Sequence, residues 1–533
     1  MIERQIIILG AGVMQEPAIR IAKDMGLETV VLDADMDAPC VALANRFENI
    51  DLKDRDGVLA LARTLPALAG VMTAGTDFSA IVAFVAERLG LPGISYETAL
   101  NASDKGRMRE CFRQADVPSP RFTVLETTQA MNLNLPFPFP AVVKPVDNMG
   151  ARGCRRVDNL AELQTATEEA FSFSRSGRII VEEFMDGSEF SLDAVIYQGE
   201  ITITGFADRH IFFPPYFIEM GHTIPTDIDE QSAAEIIDVF KRGVRALGIK
   251  NGAAKGDVKL TQKGVMIGEI AARLSGGYMS GWTYPYSSGV EPTRAAIQIA
   301  IGEKPSLTPP TRQWTSAERA FISIPGKVYS IIKKELPPHV KDVFFRVKEG
   351  ERVRFPENNV SKAGNVIAVA PDRKSAVSVA ESAVRNILIR LSTPDAETEA
   401  FLGIGERSSK TIAESANTHA TPQFPPDAFT VSPTILLALE RMSESLGNPE
   451  GSRYNISIMP FPEFTEGGLT DYVGRSIAES LDAVRLLTGQ TLPITDSAAT
   501  TSVVLGRVFW QAFIRGGYQG AAYVVDKTTL NSL

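Results

Sequence analysis

The chain has 533 residues, 44% of them hydrophobic and 22% charged, with 54 basic against 64 acidic side chains and a net charge of −10. Length and apolar content predict a soluble globular protein of several domains, and the acidic balance argues against a nucleic acid or an anionic membrane as the main partner. The three cysteines, Cys40, Cys111 and Cys154, have neither metal-ligand nor disulfide spacing and fit a reducing cytoplasm, and no apolar run approaches the roughly 18 residues of a membrane span.

Residues 6–9 read as a buried strand, reached too soon for a signal peptide to precede it. A helix over 17–25 stops at Gly26, and 29–33 is the next strand. A helix over 58–65, a third strand over 70–73 and a helix over 77–89 ending at Gly90 follow. Strands alternating with helices in units this short predict a parallel sheet covered on both faces. From Ser103 the texture changes. Strands at 139–144, 155–157 and 178–182, and a hairpin of 190–197 with 201–206 around Gln198-Gly199-Glu200, predict antiparallel sheet. Strands at 320–323, 343–346 and 365–370 precede a helix over 374–391.

Residues 394–431, rich in Pro, Ser, Thr and Ala, read as a linker. The remainder, 432–533, reads as mainly helical. One helix runs from the Ser432-Pro433 cap to Gly447, one covers 471–488, and one covers 501–515 before Gly516-Gly517. Apolar stripes such as Ile435, Leu436, Leu439 and Met442, and the aromatics Phe509, Trp510, Phe513, Tyr518 and Tyr523, need a partner surface. This tail is expected to dock onto the body of the protein or onto a second subunit; an independent appendage is the alternative.

Several stretches carry chemistry. Gly10-Ala11-Gly12 after the first strand, with Asp33 ending the second, begins a dinucleotide fingerprint, but Gln15 replaces the third glycine and a tight strand-to-helix turn is favoured. Lys105 opens a helix. Lys144-Pro145 closes a strand and leads into Asp147-Asn148-Met149-Gly150-Ala151-Arg152-Gly153. Two lysines beside a glycine-containing loop suit a polyphosphate, which point charges neutralise and backbone N–H groups cradle; each lysine alone reads as a solvated charge. In Glu182-Glu183-Phe184-Met185-Asp186-Gly187-Ser188-Glu189 a strand bends into another strand. Such a bend offers backbone groups to an adenine edge and a carboxylate to ribose hydroxyls, with an acidic surface turn as the alternative. Asp257 and Glu269 lie on the two arms of a hairpin around 261–264. Like charges on neighbouring strands cost stability without a counter-ion, and two carboxylates there suit a hard divalent cation.

Taken in order, this series resembles the ATP-grasp superfamily, in its branch of carboxylate–amine ligases that includes amino-acid ligases, carnosine-synthase-like enzymes and purine-pathway ATPases. The likeness covers residues 5–393. It implies an α/β and α+β architecture: a parallel-sheet domain preceding the ATP-grasp domain over 1–102, the ATP-grasp domain with antiparallel sheets over 103–314, and a C-terminal ligase subdomain over 315–393. The resemblance implies that Lys105 and Lys144 hold the α- and β-phosphates of ATP, that 147–153 is a phosphate lid pivoting on Gly150 and Gly153, that Glu182 with the Phe184–Met185 backbone is the adenine hinge, and that Glu189 takes the ribose. It likewise implies that Asp257 and Glu269 ligate Mg2+, with Mn2+ as a substitute, that Lys255 faces the γ-phosphate, and that Arg273, followed by Leu274-Ser275-Gly276-Gly277, lies by the reacting carboxylate. Many relatives carry Asn where Ala271 stands, so a second ion is one oxygen ligand short. Segment 208–225 resembles the substrate-facing loop of the amino-acid ligases, so His210, Tyr216, Glu219 and His222, with Ser275 and Gly276, are candidate substrate contacts.

The implied activity is ATP-dependent joining of a small-molecule carboxylic acid to an amine through an acyl phosphate, releasing ADP and Pi, in the cytoplasm, with no nucleic acid or membrane and with self-association left open. A bicarbonate-activating carboxylase-type ATPase, an NAD-dependent dehydrogenase using the first domain, and a degenerate nucleotide-binding regulator are the other readings.

Overall fold

The computed structural model describes residues 4–126, 135–404, 479–480, 483–484, 486, 512–513 and 515–527. The N-terminal sheet is parallel throughout, in the order Arg46–Asn49, Glu28–Asp33, Gln5–Leu9, Leu68–Thr73. Gln5–Leu9 is wholly buried because its alternate side chains serve two cores. Ile6 and Ile8 pack with Ala18, Ile19 and Ala22 of helix Glu16–Asp24, while Ile7 and Leu9 pack with Val58, Leu59, Phe84 and Val85 on the other face. Strand Arg46–Asn49 has no apolar run to announce it; it sits at the sheet edge, partly exposed. Helix Pro292–Ala300 comes back from far along the chain, and Ala296, Ile297 and Ile301 complete the first of these cores.

Three antiparallel sheets follow: a three-stranded one in the order Arg352–Val353, Gly326–Lys333, Ile387–Leu391, and two that frame the site. The smaller of these two has the order Phe122–Leu125, Ile179–Glu183, Ala141–Pro145, Arg155–Val157, with helix Leu160–Phe173 packed on it. The larger has eight strands, in the order Gly264–Ala271, Gly252–Thr261, Gly187–Tyr197, Glu200–Phe212, Ile218–Ile224, Thr315–Phe321, Gly364–Ala370, Val340–Phe345. Its core against helix Glu230–Ala246 contains Leu192, Ala194, Val258, Ile267, Ile270 and Phe240. The expected division at 314/315 therefore runs through one continuous sheet: Ile218–Ile224 and Thr315–Phe321 pair across it.

Three expectations are corrected. The helix expected over 374–391 is Arg373–Arg385, and the chain then turns into strand Ile387–Leu391, which pairs with Gly326–Lys333. A run of buried Ile and Leu was mistaken there for one more helical turn. The segment 208–225, expected as a loop, is mostly the paired strands Glu200–Phe212 and Ile218–Ile224, with only 213–217 as the turn; its aromatics and prolines masked the alternation. The linker does not begin at 394, because Ala396–Leu402 is a helix, capped by Asp395 through the N–H groups of Glu397 and Thr398 and ended by Gly403 in the left-handed conformation. The rest of the linker and the helix expected over 432–447 lie outside the described residues.

Residues 515–527 are helical, and Gly516-Gly517, expected to stop a helix, lie inside it. The glycine serves a close approach instead: a Cβ at Gly516 would stand 2.6 Å from Leu402 Cδ2. Phe513, Tyr518, Ala521, Ala522 and Tyr523 share one core with Phe321, Ile324, Val328, Ile389, Leu391 and Leu402. The buried Gln519 side chain accepts from the Ile324 N–H (2.9 Å) and donates to Ser323 Oγ (2.7 Å) and to the Ile389 carbonyl (2.9 Å). The described part of the tail thus docks onto the body of the protein. Among the described residues no helix is long and apolar enough to cross a membrane.

Candidate functional site

A cavity of about 510 Å³ opens between the four-stranded and the eight-stranded antiparallel sheets, walled also by the turns Gly12–Gln15 and Gly75-Thr76 of the first domain and by Arg346, Asn359 and Lys362 of the C-terminal strands' side. Lys105 enters it as the first residue of helix Lys105–Gln114, whose N-cap Asp104 accepts from the Arg107 N–H at 2.9 Å. The buried Lys105 ammonium donates to the Asn148 carbonyl (2.8 Å) and stands 3.7 Å from Glu269. Lys144, near the end of strand Ala141–Pro145, pairs with Glu182 at 2.6 Å.

Glu182 is 2% exposed and also contacts Arg109 at 2.7 Å. Burial would raise its pKa, but Arg109 and Lys144 hold it below the ordinary carboxylate value. Its carboxylate thus pairs with two cations, Arg109 and Lys144, at the wall of the cavity. The Phe184 N–H is also occupied, donating to the Pro140 carbonyl at 3.1 Å. The Met185 N–H has no protein acceptor among the described residues, while its carbonyl accepts from Lys259 Nζ at 3.2 Å. Of the expected hinge, Met185 is thus the residue whose N–H remains available to a ligand.

The loop 147–153 is tied at its start and at its middle. Asp147 accepts from the Arg175 N–H (3.1 Å) and the Ser176 N–H (2.6 Å), and the Gly150 carbonyl accepts from the Asn359 N–H at 2.9 Å. Gly150 and Gly153 both have left-handed φ, of 68° and 66°.

Asp257 and Glu269 face each other across the Gly252–Thr261/Gly264–Ala271 hairpin, beside a bulge at Asp257/Val258. Burial would raise the Glu269 pKa, but Lys105, Lys255, Lys144 and Arg273 bring it down to about 2. Its carboxylate accepts no hydrogen bond from the protein among the described residues, and its side chain is 32% exposed, into the cavity. A charged, unspent carboxylate opposite a second one fits a hard divalent cation. Among the described residues no three His, Cys, Asp or Glu converge as a cage, so such an ion would complete its shell with phosphate oxygens and water. Lys255 pairs directly with Asp257.

Arg209, absent from the expected set, joins three carboxylates: Glu189, Asp257 (2.9 Å) and Glu219 (2.6 Å). Burial opposes its charge, but Asp257, Glu189 and Glu219 more than restore it. Arg209 lies directly across the strand pair from Glu189, a signal available from the sequence had the hairpin been read beyond 206. Two more residues were missed, Asp77 and Lys362; Arg273 was expected. Arg273 donates to its neighbour's carbonyl, Leu274 O, at 3.1 Å, and its Nε has no acceptor among the described residues. Beside it lies Asp77, whose pKa burial raises against the pull of Arg273 and Lys105. Lys362, 4% exposed, donates to the Glu219 carbonyl at 2.6 Å.

The expected substrate contacts divide. Glu219 and Gly276 line the cavity. His210 does not; its ring contacts Thr223 Oγ1 at 2.9 Å, and burial with Arg319 nearby pushes its pKa down to about 4. His222 is buried behind the wall, with Nδ1 3.0 Å from Glu318 and Nε2 3.4 Å from Glu219. Burial opposes its charge, yet these carboxylates raise its pKa, and it braces Glu219 from behind. Ser275 is buried on Asp193 (2.7 Å) and Ser280 (2.7 Å), which anchors the Arg273–Gly277 loop from behind. Tyr216 lines a second, adjoining cavity of about 320 Å³ with Phe184, Phe217, Arg156 and Lys259. At the first turn, Asp33 accepts from the Ala11 N–H at 2.8 Å, so the carboxylate a dinucleotide ribose would need closes the turn instead.

Residues 137–281 match the family model of the ATP-grasp domain, and 320–392 match that of the L-amino acid ligase C-terminal domain 2. Carnosine synthase 1 of Gallus gallus is 23% identical over 355 residues, 61% of this chain and 38% of that protein. Alanine–anticapsin ligase of Bacillus subtilis strain 168 is 28% identical over 225 residues, 37% of this chain and 47% of that one. The chain thus spans less than half the length of either relative. The solved L-amino acid ligase of Bacillus licheniformis shares the fold, with a TM-score of 0.63 at 20% identity over 73% of this chain and 99% of that one. The chain thus carries an ATP-grasp domain over 137–281 and an L-amino acid ligase C-terminal domain over 320–392.

Proposed function

We propose that the protein uses ATP to activate a small-molecule carboxylic acid as an acyl phosphate and joins it to an amine, releasing ADP and Pi. The observation that carries this reading is the unspent Glu269 carboxylate opposite Asp257, in a cavity that Lys105, Lys144 and Arg273 also line. The lysines would neutralise the phosphates, and the Met185 N–H would take an adenine edge. Mg2+, held by Asp257 and Glu269, would supply Lewis-acid charge at the β- and γ-phosphates. Arg273, which faces no carboxylate at contact distance among the described residues, would hold the acid so that its oxygen attacks the γ-phosphorus. Positioning and fixed charge supply most of the acceleration in such a transfer. The free amine then displaces phosphate from the acyl carbon. Alanine–anticapsin ligase is named for joining alanine to anticapsin, which supports an amino acid as one substrate.

The test is trapping. With ATP, the acid and hydroxylamine, a hydroxamate should form alongside ADP and Pi; AMP and pyrophosphate in the phosphorus NMR spectrum would remove the acyl phosphate. Pi release with bicarbonate and no amine would mark a carboxylase-type ATPase instead. The loop 147–153 is expected to act as a lid. Its amide exchange should slow when a non-hydrolysable ATP analogue is added, and exchange that the analogue leaves unchanged removes the lid.

A further inference from the structure

The charge around Asp257 is already balanced before any ligand arrives. Four carboxylates, Glu189, Glu219, Asp257 and Glu269, meet four cations, Arg209, Lys255, Lys259 and Lys105, each through a contact of 3.7 Å or less. The two carboxylates of the hairpin are not equivalent within this set. Asp257 has a cation on each oxygen: Lys255 on Oδ2 and Arg209 on Oδ1, the latter at 2.9 Å. Among the described residues, Glu269 has only Lys105 at contact distance, at 3.7 Å. The hairpin register explains the difference. Lys255 and Asp257 lie two residues apart on one strand and so point to one face, and their cross-strand partners are Ala271 and Glu269. Where an oxygen-bearing side chain at position 271 would complete a second ion's shell, a methyl group stands opposite an ammonium.

We propose that this site takes one divalent cation with its nucleotide, shared by Glu269 and Asp257, and that Lys255 and Arg209 supply at Asp257 the charge a second ion would bring. The inference rests on the nucleotide-site reading above. Two-ion sites clamp both ends of a phosphoryl transfer, and a divalent cation needs about six oxygen ligands in near-octahedral geometry. On the Asp257 side of this hairpin, a second ion would have one carboxylate, already paired twice, and no neighbour at 271 to help. It would also sit beside two fixed cations with little water to screen them. The lysine costs the site less: it is covalently held, arrives with no ligand requirement, and reaches Asp257 from the same strand face.

Counting ions tests this without any assay of turnover. Mn2+ is titrated, by calorimetry and by its electron paramagnetic resonance signal, into the protein saturated with a non-hydrolysable ATP analogue. The wild type should take up one tight Mn2+ per chain. The double variant Lys255→Met with Ala271→Asn should take up two, and Lys255→Arg, which keeps the charge, should stay at one. Two equivalent ions in the wild type overturn the proposal, and so does a double variant that still binds one. A wild type that binds no analogue with any Mn2+ present gives a different result: it removes the nucleotide-site reading itself. The wild-type count needs no variant, so the proposal is decided even if a substitution unfolds the protein.

Discussion

Replacing Glu269 by Gln is expected to lower turnover at least about a hundredfold, and Lys144→Met is expected to do the same, the scale on which one preorganised charge acts. Glu269→Gln keeps shape and volume and removes only the charge. With its pKa held at about 2, Glu269 is ionised throughout the working pH range, so the wild type never samples the neutral state that the variant imposes. In the variant, Lys105, Lys255, Lys144 and Arg273 lose a carboxylate that acts on all four, and a cation loses the ligand that accepts no hydrogen bond from the protein among the described residues. Lys144→Met is the complementary change, and its structural cost is small. Glu182 keeps Arg109 at 2.7 Å, so the buried carboxylate is not left alone. Melting temperature should therefore move little while turnover collapses. Near-normal turnover in both variants, measured as ADP release, would overturn the assignment of this cavity as the ATP site.

The parts of this site that were legible in the sequence are those fixed by local geometry. The short turn at 261–264 sets the hairpin register as far as Val258 and Ile267, which places Asp257 and Glu269 within one residue of each other, and the bulge at Asp257/Val258, which skips Gly268, then brings them face to face. Asp104 caps the helix that Lys105 opens, which a sequence reading recovers from the residue type. What escaped depends on contacts between distant elements. The pairing of Glu182 with Arg109, on helix Lys105–Gln114, escaped because nothing near Glu182 in sequence shows it. His222 sits in a stretch rich in aromatics, as a pocket residue would, yet Glu318, on the neighbouring strand Thr315–Phe321, makes it a brace behind the wall. Arg209 was lost to a boundary error, since a strand ended at 206 leaves no partner for Glu189. Ser275 was read for its place after Arg273; that Asp193 would claim its hydroxyl follows from the packing of a strand laid down long before it.

Ending the chain near residue 415 is expected to cost the soluble fold of the C-terminal strands. The described tail supplies Phe513, Tyr518 and Tyr523 to a core it shares with Phe321, Ile324 and Leu391. Losing one buried aromatic side chain typically costs about 3–5 kcal/mol, so losing three approaches the whole stability of an ordinary domain, about 5–15 kcal/mol. Removal also strands polar groups: Gln519 satisfies the Ile324 N–H and the Ile389 carbonyl inside that core, and Arg390 loses Asp526. The damage should not stay local. Thr315–Phe321, which lines the exposed core with Phe321, is hydrogen-bonded to Ile218–Ile224, the strand of Glu219 and His222. A sequence reading that treats the tail as a separate packing unit expects ATP analogues to bind the shortened protein normally; the continuous sheet predicts that analogue affinity falls along with solubility. Gly516→Val offers a milder probe of the same contact, because its side chain would press on Leu402 at the helix crossing. It should lower the melting temperature while leaving the cavity's charged residues in place. A truncated protein that stays soluble, with unchanged mass in solution and unchanged kinetic constants, would show that this core closes without the tail.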